Sequence, residues 1–172
     1  MKRFRRFVLG IAVCGLSLNA INVHAKCEMD NAALQAMPEI VVTIERNDAE
    51  PIELPAIWAN TTVARGQGFQ RVCADRIAQT PMLFTFSRPV SPSFHMRNVV
   101  APLDIAFIDA RGRIESIQSM AVYEPGGGTP MYSPRRPIVA ALEFAPGLFE
   151  SLGVDRRSVV RWQVSETTAS PE

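Results

Sequence analysis

Few side chains in this sequence set a polar or charged group among apolar neighbours; the candidates are His95, Arg97, Asn98, Asp104 and Glu143. Asp104 lies in the run Leu103-Asp104-Ile105-Ala106-Phe107-Ile108. On a strand, Leu103, Ile105 and Phe107 share one face, and Asp104 shares the other with Ala106 and Ile108. A carboxylate placed there sits at a solvated mouth or meets a partner. Arg97 is the expected partner, because a guanidinium can hold a carboxylate through two hydrogen bonds. Glu143 interrupts the apolar run Ile138–Phe144 in the same way. Two readings follow. Arg97, Asn98 and Asp104, with His95 and Glu143, can line a pocket for a small polar or anionic ligand. Alternatively they form a buried pair and an amide that fix a turn between two strands, the preferred reading because paired charges need no ligand to explain them.

No catalytic residue is assigned. His95 is the only histidine after residue 25, and no Gly-x-Ser-x-Gly elbow offers it a serine nucleophile. A half-buried imidazole is therefore the simpler reading of His95. Met96 beside it invites a copper site, but one His and one Met do not make one. Gly126-Gly127-Gly128 lacks the Lys-Ser/Thr of a phosphate loop and reads as a flexible connection. Cys27 and Cys73 are the two cysteines left after residue 25. A disulfide between them is preferred in an oxidising compartment. A Cys-Cys-His zinc site is the alternative, disfavoured because no two ligands stand at a short metal-like spacing. No cofactor or metal is expected.

The N-terminus supplies the compartment. Met1-Lys2-Arg3-Phe4-Arg5-Arg6 is cationic, Phe7 to Leu18 is apolar and uncharged, and Val23-His24-Ala25 is a cleavage-like end. These are the three parts of a secretory leader, and the apolar run is shorter than the roughly 20 residues of a membrane span. The expected mature protein begins near Lys26, is periplasmic or secreted, and keeps no membrane anchor. Arg5-Arg6 leaves the twin-arginine route open beside the general one. Cys14 as a lipidation site is set aside, because bulky Val13 precedes it inside the apolar run.

Removing 25 of the 172 residues leaves 147, the size of one domain. The leader holds four of the 18 Lys and Arg and none of the 17 Asp and Glu, so the remainder carries 14 against 17, a formal charge of −3. That balance argues against a nucleic-acid partner.

The elements that must position these residues are mostly strands. Residues 26–38 read as a lead-in, 39–164 as a single β-rich domain and 165–172 as a flexible tail. Glu39–Arg46 is β-branched and reads as a strand. Residues 47–51 read as a turn, and Ile52–Ala59, interrupted by Pro55, suits an edge strand. Asn60 is placed to cap a short helix over 61–71. Met82–Phe86 alternates, Arg88–Ser93 reads as a turn, and Leu103–Ile108 and Arg113–Met120 flank the hairpin signal Asp109-Ala110-Arg111-Gly112. Residues 125–137 read as a long loop. Ile138–Phe144 is a strand, Pro146 starts a short helix ending at Gly153, and Val159–Val164 is the closing strand. The expected fold is mainly β with short helices (α+β), a small β-barrel-like or strongly bent antiparallel or mixed sheet.

From about Asn60 to Trp162 the chain resembles a bacterial and archaeal family known as domain of unknown function 192. Arg65 and Gly68-Phe69-Gln70 stand where the family has an arginine and Gly-Leu-Met. Pro81-Met82-Leu83-Phe84-Thr85-Phe86 matches its Gly-Met-Leu-Phe followed by an aromatic. Phe94-His95-Met96-Arg97-Asn98-Val99 and Pro102-Leu103-Asp104 match its Phe-Trp-Met-Lys-Asn-Thr and Pro-Leu-Asp. Phe107-Ile108-Asp109 with Gly112 and Ile114, then Leu142-Glu143 and Gly153, complete the match. Pro81, His95, Arg97 and Val99 depart from the family's glycine, tryptophan, lysine and threonine. The resemblance implies a small β-barrel-like fold with short helices and no established activity.

The reading favours a non-catalytic exported domain that binds a small molecule, a peptide or an envelope protein. A hydrolase or lyase using Asp104 or Glu143 with Arg97 as a clamp is the alternative, and a metal-handling role for His95 with the cysteines is the third.

Overall fold

A computed structural model describes residues 27–47 and 49–163. The leader expected over 1–25 and the tail expected over 165–172 lie outside the described residues. The described elements are, in chain order, α1 (Ala32–Gln35), β1 (Glu39–Arg46), β2 (Ala49–Ala59), α2 (Thr62–Gln67), α3 (Ala74–Gln79), β3 (Met82–Val90), β4 (Leu103–Ile108), β5 (Ile114–Met120), β6 (Ile138–Phe144), α4 (Leu148–Ser151) and β7 (Val159–Gln163).

The seven strands form one sheet in the order β5-β4-β6-β3-β2-β1-β7. Every pairing is antiparallel except β2 with β3, which run parallel over Ile57–Ala59 and Met82–Phe84. Both faces are buried along β4, β6 and the start of β3, which explains their apolar runs, whereas β1 alternates buried with exposed residues. One face carries Ile57, Met82, Phe84, Ile105 and Phe107 and is covered by Leu34 of α1, Ala64 of α2, Ile77 of α3 and the Met96–Val99 turn. The other gathers Val42, Ala56, Leu83, Ala106, Ile114, Leu142 and Val160, one or more from each of the seven strands, together with Phe149 of α4. A cluster fed by every strand lies inside a bend of the sheet.

The bend brings the sheet's ends together at one corner. Arg113 and Val159 form an isolated bridge, and the Val160 N–H donates to the Gly112 carbonyl at 2.7 Å. The sheet nevertheless stays open, so of the two expected forms the strongly bent mixed sheet is present and the closed barrel is not. Gly112 makes that corner possible. Its φ is 81°, and a Cβ there would stand 2.7 Å from the Val160 carbonyl oxygen. Asp109 completes the hairpin, its Oδ1 accepting from the Arg111 and Arg113 N–H groups at 2.8 and 2.9 Å.

Several local expectations need correction. β2 is an interior strand by order, but its pairing with β3 covers only the last three residues, so Pro55 faces an open edge opposite Val41 and costs no ladder bond on that side. Thr61, not Asn60, caps α2, its hydroxyl accepting from the Ala64 N–H at 3.1 Å. The helix expected over 61–71 stops at Gln67, before Gly68 at φ 48°, and a separate α3 follows. β3 continues through Pro89 to Val90, because the register with β6 skips residues 86–89 and leaves the proline unpaired. α4 begins at Leu148 rather than Pro146, with left-handed Gly147 as its cap.

Cys27 and Cys73 are bonded as a disulfide, with Cα atoms 4.9 Å apart across 46 residues of sequence. The lead-in is held further by the Glu28 N–H donating to the Arg71 carbonyl at 2.9 Å and the Cys73 N–H donating to the Glu28 carbonyl at 3.0 Å. The bond uses both sulfurs, so neither serves as a thiolate ligand beside His95.

Candidate functional site

The five candidate residues do not converge. The register decides it: Asp104 stands opposite Phe144 and Ile105 opposite Glu143. Asp104 and Glu143 therefore project from opposite faces of the sheet. Asp104 is buried, and both of its oxygens are engaged. Oδ1 accepts from the Ser119 hydroxyl at 2.6 Å and Oδ2 from the Gly147 N–H at 2.8 Å. It thus ties β4 to β5 and to the turn that opens α4. Arg97 is not its partner. That side chain is exposed, and among the described residues it pairs with no carboxylate. The physical reason is position: Arg97 lies in a turn over the helix-covered face, whereas Asp104 projects from the other.

Asn98 is also exposed and acts through its backbone. Its φ is 62°, a left-handed conformation that asparagine tolerates better than most residues. Its carbonyl accepts from the Arg71 N–H at 2.8 Å and its amide donates to the Gln70 side chain at 3.0 Å.

Glu143 and His95 do line one cavity, of about 260 Å³, between α2, β3, β6 and the turn at 92–99. Its walls mix four phenylalanines with polar side chains. Phe84 and Phe86 come from one face of β3, and Phe94 packs edge-on to Phe84 with ring centroids 5.2 Å apart. The strand-like bridge between Phe94 and Tyr132 fixes that ring, with N–H···O distances of 2.8 and 2.9 Å in the two directions.

Glu143 sits at the floor, between Met82 of β3 and Ile105 of β4. The residue is only 6 % exposed, and among the described residues no hydrogen bond or ion pair reaches its carboxyl, whose oxygens keep a little accessible surface toward the cavity. Burial alone raises its pKa from 4.5 to about 8. A carboxyl in that state is mainly protonated at neutral pH and can donate a hydrogen bond, transfer a proton or ionise to meet a cation.

His95 is half-buried at the cavity wall, with Nδ1 accepting from the Arg97 N–H at 3.3 Å, which leaves Nε2 to carry the ring proton. Arg65 belongs to the site too, although it does not stand among apolar neighbours in the sequence. Its Nη1 donates to the Asn60 and Thr85 carbonyls at 2.8 and 2.9 Å, and its guanidinium carbon lies 5.2 Å from the centre of the Phe86 ring. The signal was its place in the family pattern, not its local chemistry. Ser93 and Gln70 also line the cavity. Among the described residues no group of three His, Cys, Asp or Glu is placed to hold a metal ion.

An open, bent mixed sheet with a lateral cavity beneath short helices defines the class. The chain belongs to the family called domain of unknown function 192, described as an uncharacterized ACR, whose model matches residues 42–162. Two solved structures share the fold. One is a candidate transcription regulator from Sinorhizobium meliloti 1021, 23 % identical, covering 73 % of this chain and 95 % of its own, with a TM-score of 0.64. The other is a protein of unknown function from Novosphingobium aromaticivorans DSM 12444, 24 % identical, covering 78 % and 99 %, with a TM-score of 0.62. No curated protein matches the chain.

Proposed function

We propose that the protein is an exported, non-catalytic domain that binds a small organic molecule in the cavity floored by Glu143. The observation that carries this reading is a glutamate only 6 % exposed, its carboxyl without a partner among the described residues, at the bottom of a cavity that four phenylalanines help to line. Burying a polar group without a hydrogen bond costs free energy that a packed apolar residue would not. A bound molecule that hydrogen-bonds to the carboxyl offsets that cost. The cavity is near the lower end of the range for small-molecule sites, roughly 300 Å³ upward. It suits a single ring with a polar end better than a peptide segment. Export rests on the leader-like residues 1–25 and the disulfide that suits an oxidising compartment.

One observation favours a second reading. A carboxyl titrating near 8 is poised for general acid–base work at neutral pH, with His95 on the same cavity. That reading uses Glu143 without Asp104 or Arg97, which lie elsewhere.

Thermal unfolding across a broad metabolite and peptide panel tests the main reading. At least one small compound is expected to raise Tm in the wild type and to lose that effect in Ser93→Trp, where an exposed rim residue is enlarged across the cavity. No shift across the panel, or a shift that survives the plug, would defeat it. Turnover of a bound compound, abolished in Glu143→Gln with binding retained, would favour the second reading.

A further inference from the structure

The cavity's polar groups are unevenly divided between floor and mouth, and that division selects among ligands. Arg65 and His95 are the titratable groups lining the cavity besides Glu143. Arg65 is committed to two backbone carbonyls, to the Thr62 hydroxyl at 3.3 Å and to the Phe86 ring. It contributes nothing to the shift at Glu143, whose sole cause is burial, so the guanidinium does not act as its counterion. From the neighbouring strands Glu143 meets Met82 and Ile105, which carry no charge. The floor is thus an acidic group with no cation of its own.

Aromatic rings complete it. Phe84 pairs with Ala141, two residues from Glu143 on the same face of β6, which places the ring diagonally beside the carboxyl. Phe94 packs against Phe84 and lines the same space. A carboxylate beside aromatic rings is the chemistry that recognises an organic ammonium, through a charge-assisted hydrogen bond and the negative faces of the rings.

Resting on the binding-site reading above, we propose that the cavity selects small organic cations, seating an ammonium group against the Glu143 carboxylate and the Phe84 and Phe94 rings. The rest of the molecule extends toward His95 and Ser93 at the mouth. A neutral hydroxyl would satisfy the carboxyl's hydrogen bonding but gain no charge attraction, which is strong where water is excluded. Ionising Glu143 at pH 7 weakens binding only about tenfold, given a pKa of about 8. The proton that leaves the carboxyl goes to solvent when the cation enters. Cation affinity therefore rises with pH up to about 8 and then levels, while the amine itself remains charged.

Three probes of one shape and different charge make the test: phenethylammonium, 2-phenylethanol and 3-phenylpropionate, titrated calorimetrically into the full mature chain. Phenethylammonium is expected to bind tightest, with affinity rising about tenfold from pH 6 to 7 and about fivefold from pH 7 to 8. Comparing buffers of different ionisation enthalpy, nearly one proton is expected to be released per cation bound at pH 6. Glu143→Gln should weaken phenethylammonium about 10- to 100-fold and remove its pH dependence. The pH slope and proton release of the wild type test the idea even if that variant fails to fold. Tighter binding of the alcohol or the carboxylate, or cation affinity flat or falling with pH, overturns the inference. Silence from all three overturns it too, whereas the binding-site reading falls if the broader panel is also silent or its shifts survive the Ser93→Trp plug.

Discussion

Replacing Glu143 by glutamine should change not only how stable the protein is but how stability depends on pH. The native carboxyl titrates at about 8 against 4.5 for a free one, because burial disfavours its charged form. Between those values the folded protein holds a proton that the unfolded chain has released, so unfolding becomes easier as pH rises. The loss is about 1.4 kcal/mol per pH unit. Stability contributed by this group is intact below 4.5, about 3 kcal/mol lower at pH 7, and about 5 kcal/mol lower above 8. Glutamine has no such proton and nearly the same shape. Its own burial cost is constant with pH, so the difference between the two proteins isolates the carboxyl. Urea unfolding at intervals from pH 5 to 9, with the disulfide intact, should show the variant gaining on the wild type by several kcal/mol. Parallel curves over that range would refute burial as the dominant influence on Glu143.

The remaining predictions concern residues away from the cavity. Asp104→Ala should cost about 1.5–3 kcal/mol in urea unfolding, since two hydrogen bonds to a buried carboxylate are lost while both donors remain open to water, and should leave ligand-induced Tm shifts unchanged. Reduction of Cys27–Cys73 frees a 46-residue loop and should lower stability by up to about 4 kcal/mol, read as the shift in urea midpoint with and without reductant. Arg97→Ala should change stability by less than about 0.5 kcal/mol, because an exposed side chain with no ion pair among the described residues has little to lose.

Much of the frame was legible because it is local. Glu39–Arg46, Leu103–Ile108 and Ile138–Phe144 coincide with β1, β4 and β6, each an apolar or β-branched run long enough to specify a strand. The Asp109–Gly112 hairpin was legible for the same reason, its turn chemistry being written in adjacent residues. α3 was not, since six residues give too little helical periodicity to stand out. The candidate site fared less evenly. Glu143 stood out as a charge inside an apolar strand, and the buried cavity floor is where such a residue matters most. Asp104 stood out by the same signal yet serves to tie strands together. What separates the two is the β4–β6 register, a pairing between segments about 40 residues apart that no local pattern encodes. Charge complementarity alone pairs Arg97 with Asp104, but the fold puts a sheet between them.

The carboxyl of Glu143 is the group on which the binding role turns, and ¹³C NMR of that carbon, free and with the tightest compound of the panel, tests it most directly. In the free protein it should titrate near 8, and the bound compound should displace that midpoint. A midpoint in the ordinary glutamate range, or one indifferent to every compound that binds, would contradict a ligand site built on Glu143.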